Sequence, residues 1–146
     1  MKAKRVLEAT PKTYVVVFSA GDEAIEGLQG FARSEGLSAA SLKGIGAFAD
    51  ARLGFFDWEA KRYEPVVVSE QVEVLSLIGD VALGEDGVPQ LHAHFVLGCR
   101  DGRAVGGHLL AATVRPTLEI VLTEAPAQLR KRGDPETGLA LIDLGR

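Results

Sequence analysis

One amphipathic helix followed by an unbroken series of strand-like segments is the feature that most restricts how this chain can fold. From Asp22 to Glu35 the apolar residues Ala24, Ile25, Leu28, Phe31 and Ala32 recur at helical spacing. Ser19 and Asp22 are candidate N-caps, and Gly36 stands where a left-handed residue would end the helix. Gly27 and Gly30 each weaken such a helix by up to about 1 kcal/mol relative to alanine, so packing on a sheet has to hold it. Before it, Tyr14-Val15-Val16-Val17-Phe18 reads as a buried strand. After Gly36 no helical stripe returns. Strands are expected over residues 39–46, 49–57, 62–69, 71–83, 91–99, 104–112 and 118–123, with a last apolar stretch at 139–144. Trp58-Glu59-Ala60-Lys61 and Asp101-Gly102 are hairpin-like connections, and 84–89 is a loop by composition. Short connections between strands favour antiparallel pairing. The expected class is therefore α+β, a mainly antiparallel sheet with the helix of about residues 22–35 packed on it.

Residues 1–146 read as a single domain: no repeat, low-complexity stretch or linker interrupts them. A chain of this length buries roughly 70% of its unfolded surface and needs no staples. Sixteen basic against twenty acidic residues give a net charge of −4, which weighs against a protein that coats duplex nucleic acid. A single cysteine, Cys99, excludes an internal disulfide and fits a reducing, cytoplasmic setting. No apolar run approaches the roughly 18 residues of a membrane span, and Met1–Leu7 is basic without the apolar core of a signal peptide.

All three histidines, His92, His94 and His108, fall in one expected hairpin. On a strand, residues two apart share a face at a separation of roughly 6.5–7 Å, so His92 and His94 can share one metal ion. Register decides whether His108 joins them. A two-residue loop at Asp101-Gly102 pairs Arg100 with Arg103, sets His94 opposite Leu109, and turns His108 to the other face. One extra residue restores the parity, and Gly106-Gly107 is where a bulge would supply it. Three neutral imidazoles suit Zn²⁺ with a fourth position for water, and Ni²⁺, Fe²⁺, Co²⁺ or Cu²⁺ also fit. Such a site can activate water or hold a small-molecule ligand; the competing reading is three structural histidines. Glu70, Glu73 and Asp80 are candidates to orient a ligating imidazole, against a plain solvent-facing role.

Elsewhere the signals are weak. Cys99 reads as a small buried hydrophobe rather than a nucleophile. Gly44-Ile45-Gly46 reads as close packing or a bulge, since no helix follows it as a phosphate loop requires. Ser19, Ser41 and Ser76 lack a nucleophile-elbow context. Arg130-Lys131-Arg132 reads as a solvated turn.

The stretches Gln71-Val72-Glu73-Val74-Leu75-Ser76-Leu77-Ile78-Gly79, His92-Ala93-His94-Phe95 and Asp101-Gly102-Arg103-Ala104-Val105-Gly106-Gly107-His108-Leu109, with Gly44-Ile45-Gly46-Ala47-Phe48 and the helix before it, resemble the plant-and-prokaryote-conserved (PPC) domain over roughly residues 10–145. The resemblance implies an α+β fold that assembles as a homotrimer. It implies His92, His94 and His108 as metal ligands, as in stand-alone prokaryotic members, and supplies no reaction. In plants the domain follows an AT-hook and serves in nuclear oligomerisation and partner binding. No Arg-Gly-Arg-Pro segment of that kind occurs here, so nucleic acid is not an expected partner. The expectation is a metal-binding homotrimer, with an oligomerisation, partner-binding or DNA-associated regulatory module without catalysis as the alternative. Val66-Val67-Val68 and residues 118–122 are apolar enough on both faces to be interface or central strands.

Overall fold

The computed structural model describes residues 1–7, 11–126 and 128–145. Nine strands and one helix are described: β1 (Lys2–Leu7), β2 (Thr13–Ser19), α1 (Ala24–Ser34), β3 (Ala39–Asp57), β4 (Arg62–Val68), β5 (Val72–Leu83), β6 (Pro89–Gly98), β7 (Ala104–Glu124), β8 (Arg130–Gly133) and β9 (Ala140–Asp143). All strand pairings are antiparallel except a single parallel pair between β5 and β8. The α+β class stands as expected.

Two pairs of expected strands are each one long strand. Residues 39–46 and 49–57 merge into β3, and 104–112 and 118–123 merge into β7. Register shifts within β3, at Gly44/Gly46, Gly46/Phe48, Phe48/Asp50 and Arg52/Leu53, let the merged strand bend without ending. β3 thereby changes partner, from β5 in its first half to β4 in its second, while β7 accompanies both halves. A pattern that breaks alternation marks a bulge here, not a strand end. Gly44-Ile45-Gly46 is such a place, as its spacing suggested.

β5 pairs β6, β6 pairs β7, β7 pairs β3 and β3 pairs β5, so four strands close on themselves. Phe48 of β3 and Phe95 of β6 meet with ring centroids 5.4 Å apart although their strands are not neighbours, which places both inside that ring. β2 extends the sheet beyond β7, with β1 at its outer side.

α1 is capped one residue after Asp22 and four after Ser19, the two expected caps. Glu23 is the N-cap, its carboxylate accepting from the Glu26 N–H at 2.6 Å. Asp22 instead accepts from Ser19 N–H at 2.8 Å and pairs with the N-terminal ammonium at 2.5 Å. At the other end the Gly36 N–H bonds the Arg33 carbonyl and the Leu37 N–H bonds the Ala32 carbonyl, the paired closure of a Schellman motif. The buried stripe is Ala24, Leu28, Phe31 and Ala32, with Phe31 edge-on to Tyr14 of β2 at 5.3 Å. The Gln29 side chain ties α1 to β6: it accepts from Leu91 N–H at 3.0 Å and donates to the Pro89 carbonyl.

Phe48 is fully buried at 0% exposure, and its truncation leaves a cavity that rigid strands on all sides cannot close. Phe48→Ala is expected to lower unfolding stability by about 3–5 kcal/mol, read from the urea midpoint. A loss under about 1 kcal/mol would show that the ring interior is not the core that holds the sheet.

Candidate metal centre

Alternation on β6 turns Ala93, Phe95 and Leu97 inward and leaves His92, His94 and Val96 on the outer surface. On β7, buried Leu109 puts His108 on that same outer surface. His94 pairs with His108, and the register runs on unshifted through Phe95–Gly107, Val96–Gly106, Leu97–Val105 and Gly98–Ala104. No bulge at Gly106-Gly107 is involved. The extra residue sits in the turn: the Cys99 N–H bonds the Arg103 carbonyl at 2.8 Å, and the Gly102 N–H bonds the Cys99 carbonyl at 3.0 Å. The loop is thus three residues, Arg100-Asp101-Gly102. Gly102 at φ +87° supplies the left-handed step that such a loop requires. This corrects the two-residue loop expected from Asp101-Gly102 and sets all three imidazoles on one face.

One nitrogen from each of His92, His94 and His108 lies within 4.8 Å of the others. The Nε2 atoms of His92 and His94 are 3.1 Å apart. At Zn–N distances near 2.0–2.1 Å, tetrahedral ligand atoms stand about 3.3 Å from one another. The pair already has that spacing, and His108 has to close by a small side-chain movement. Nδ1 of His108 is buried with no hydrogen-bond partner. An all-imidazole donor set, one orphaned ring nitrogen and this spacing fit a divalent transition ion.

Asp80 holds His92. Its Oδ2 lies 3.3 Å from His92 Nδ1, and its Oδ1 lies 2.8 Å from Lys131 Nζ. A proton on Nδ1 donated to Asp80 leaves the Nε2 lone pair free for a metal, the arrangement by which a carboxylate fixes a ligating imidazole. Burial alone would raise the Asp80 pKa. The hydrogen bonds to His92 and Lys131 outweigh it and hold the carboxyl below the usual range. Glu70 and Glu73 do not take part; they border a separate depression with Cys99 and Arg100. Cys99 is half-buried and packs against the core.

Sequence reasoning missed two neighbours of the site. The Tyr63 ring stacks on His108 with centroids 4.4 Å apart and planes 19° apart. Gly54, the β3 partner of His108, makes the stack possible, because a Cβ there would meet the Tyr63 ring at 2.8 Å. Burial raises the Tyr63 pKa, so its phenol stays neutral. Lys131 is the second. The segment expected to be a solvated turn is β8, and Lys131 within it is 4% exposed. Four-residue alternation sends Lys131 inward between outward Arg130 and Arg132. A cavity of about 520 Å³ opens between His92, His108 and Tyr63 on one side and residues 139–142 on the other, with Lys131 in its wall.

Burial, then repulsion from His92, His94 and Lys131, lowers the His108 pKa to about 4; burial, then His92, also lowers that of His94. Unfolded imidazoles titrate near 6.5. Between those values the unfolded chain binds protons that the folded chain refuses. Stability of the metal-free protein is therefore complete above about pH 6.5 and lost as pH falls toward 4. The thermal midpoint of metal-free protein should drop across that window, and less steeply in His108→Gln. Equal slopes for the two proteins would show that His108 is not protected from protonation.

The model of the Plants and Prokaryotes Conserved (PCC) domain matches residues 7–126. No curated protein matches the sequence significantly. Among solved structures, a putative DNA-binding protein from Bacteroides thetaiotaomicron superposes with a TM-score of 0.89 at 27% identity, covering 99% of both chains. A PPC protein from Pyrococcus horikoshii gives 0.84 at 32% identity over 92% of each chain. A metal-containing protein from Archaeoglobus fulgidus gives 0.83 at 30% identity over 95% of this chain and 99% of its own. With the match spanning most of the sequence and the fold shared end to end, the chain belongs to the Plants and Prokaryotes Conserved domain family.

Proposed function

We propose that this protein binds one divalent transition metal per chain, zinc foremost, through His92, His94 and His108. The observation that carries the reading is the convergence of these three imidazoles within 4.8 Å. Asp80 sets the His92 tautomer, Tyr63 braces the His108 ring plane, and Gln29 anchors the start of β6. The metal-containing relative from Archaeoglobus fulgidus supports the same reading. When bound, zinc with three protein ligands supplies a Lewis-acidic position and lowers the pKa of a coordinated water to about 7. The cavity beside His92 and His108 is where a small molecule would meet that position.

Elemental analysis of untagged protein is expected to give about one metal per chain, and close to none in the His92→Ala/His94→Ala double variant. Metal-free wild-type protein that takes up no Zn²⁺ at neutral pH, where imidazoles are deprotonated, would leave the histidines structural.

Assembly as a homotrimer is the second part of the reading. Ile45, Leu75, Ile78 and Val121 are exposed around one shallow depression on the outer sheet face, and a continuous apolar patch of that kind favours a partner. Light scattering during gel filtration should return three times the 15.5 kDa chain mass. Ile78→Asp, at a residue 61% exposed, should shift the protein to a smaller species; a wild-type mass of one chain would end the trimer reading. The relative named a putative DNA-binding protein suggests a regulatory module instead. The net charge of −4 works against that, and binding to duplex DNA that weakens steeply with salt would be its signature.

A further inference from the structure

The cavity next to the histidines has a lining of two chemical kinds. Its polar lining is His92, His108, Lys131 and Asp80, with Gln90 and Tyr63. The Lys131 ammonium is 4% exposed, and Asp80 Oδ1, at 2.8 Å, is its one ion-pair partner among the described residues. An ammonium carries three N–H donors, so one carboxylate oxygen leaves this cavity-lining group with donor capacity to spare. The rest of the lining is aliphatic: Leu91, Leu139, Ala140, Leu141 and Ile142, with Ile142 the cross-strand partner of Lys131. The volume of about 520 Å³ lies within the roughly 300–1,000 Å³ common to small-molecule sites.

Charge selects the ligand. Asp80 and Lys131 cancel one another, and three neutral imidazoles add nothing. A divalent ion at the histidines therefore leaves two positive charges uncompensated in a partly buried site, where effective interactions are stronger than in water. A cation is repelled by the ion. A sugar would set hydroxyls against the aliphatic lining, at a cost for each one left without a hydrogen bond. An anionic oxygen head on a short apolar body satisfies both kinds of lining.

We infer that the cavity bounded by His92, His108, Lys131 and the 139–142 segment is a binding site for a short-chain aliphatic carboxylate, its head taken by the metal and the Lys131 ammonium and its chain by the aliphatic wall. The inference rests on the metal reading and adds to it the class of molecule bound.

The test uses full-length protein loaded with Zn²⁺, its metal content measured on the same sample. Calorimetric titrations with acetate, butanoate and hexanoate are compared with butanamide, which keeps the chain and removes the charge. Affinity is expected to rise along the acids by about fourfold per methylene, and butanamide to bind at least tenfold more weakly than butanoate. Lys131→Met should erase much of the preference for butanoate over butanamide. Because that change leaves Asp80 without its ion pair and can impair folding, Ile142→Asp serves as the second variant. Ile142 is 43% exposed, so the variant keeps its core while placing a carboxylate at the cavity wall, and butanoate affinity should fall at least tenfold with metal content unchanged. One zinc per chain with equal affinity for all three acids, or an Ile142→Asp variant that binds butanoate like wild type, overturns the inference and leaves the metal reading standing. A protein that takes up no zinc overturns both.

Discussion

The pairing of His94 with His108 across β6 and β7 is the constraint on which the site depends. Side chains alternate along a strand, so a shift of one residue in that pairing would send His108 inward and bring Leu109 out. The three-residue turn Arg100-Asp101-Gly102 fixes the pairing from only a few residues away, and the buried Phe95, Leu97 and Leu109 penalise any slip. Burying each such side chain contributes about 1.5–3 kcal/mol. The energy that holds the imidazoles in place thus comes from the opposite face of the same strands. The same register sets His108 beside Gly54 of β3, and the gap left by that glycine admits Tyr63 from β4.

A second dependence runs through charge. Lys131 lies almost wholly out of water, and an unpaired ammonium there would be costly. Asp80 neutralises it with one oxygen and holds His92 with the other. Among the described residues the β8–β9 hairpin is otherwise lightly attached, through one ladder pair at Leu83–Arg130, bonds from Leu83 N–H to the Leu129 carbonyl at 2.8 Å and from Leu129 N–H to the Ser38 carbonyl at 3.2 Å, and one from Gly133 N–H to Glu85 at 3.0 Å. One carboxylate therefore joins two tasks: docking the hairpin that walls the cavity and orienting a candidate ligand. Replacement of Asp80 would disturb both together, so its effect on metal affinity has to be read alongside the position of the hairpin.

How far the sequence speaks depends on whether a feature is local. The helical stripe, the Gly36 stop and the two-apart spacing of His92 and His94 are local, and each is present in the fold. The placement of His108 on their face needed one extra residue. Periodicity could demand that residue but could not decide between Gly106-Gly107 and the turn, because both contain glycine. Lys131 is hidden from a sequence reading for another reason. Its neighbours Arg130 and Arg132 make a charge run, and a charge run looks solvated until a β5 carboxylate more than forty positions earlier is known to meet it. Tyr63 is similar, since its stack on His108 depends on a strand pairing that no short window contains. The long strands β3 and β7 each read as two in the sequence because bulges interrupt alternation in the same way that strand ends do.

The outer sheet face carries the histidines and an exposed apolar patch side by side. Ile78 is the cross-strand partner of His94, and both side chains are exposed. Ile45, Leu75 and Val121 continue the apolar surface away from it, so the patch begins where the histidine cluster ends. Covering this patch would remove water from beside His94 while the cavity lies on the far side, by His92 and His108. A less hydrated imidazole resists protonation more strongly, which favours the neutral form that a metal requires. Covering of this patch would thus carry the neutral, metal-binding form of His94 to lower pH.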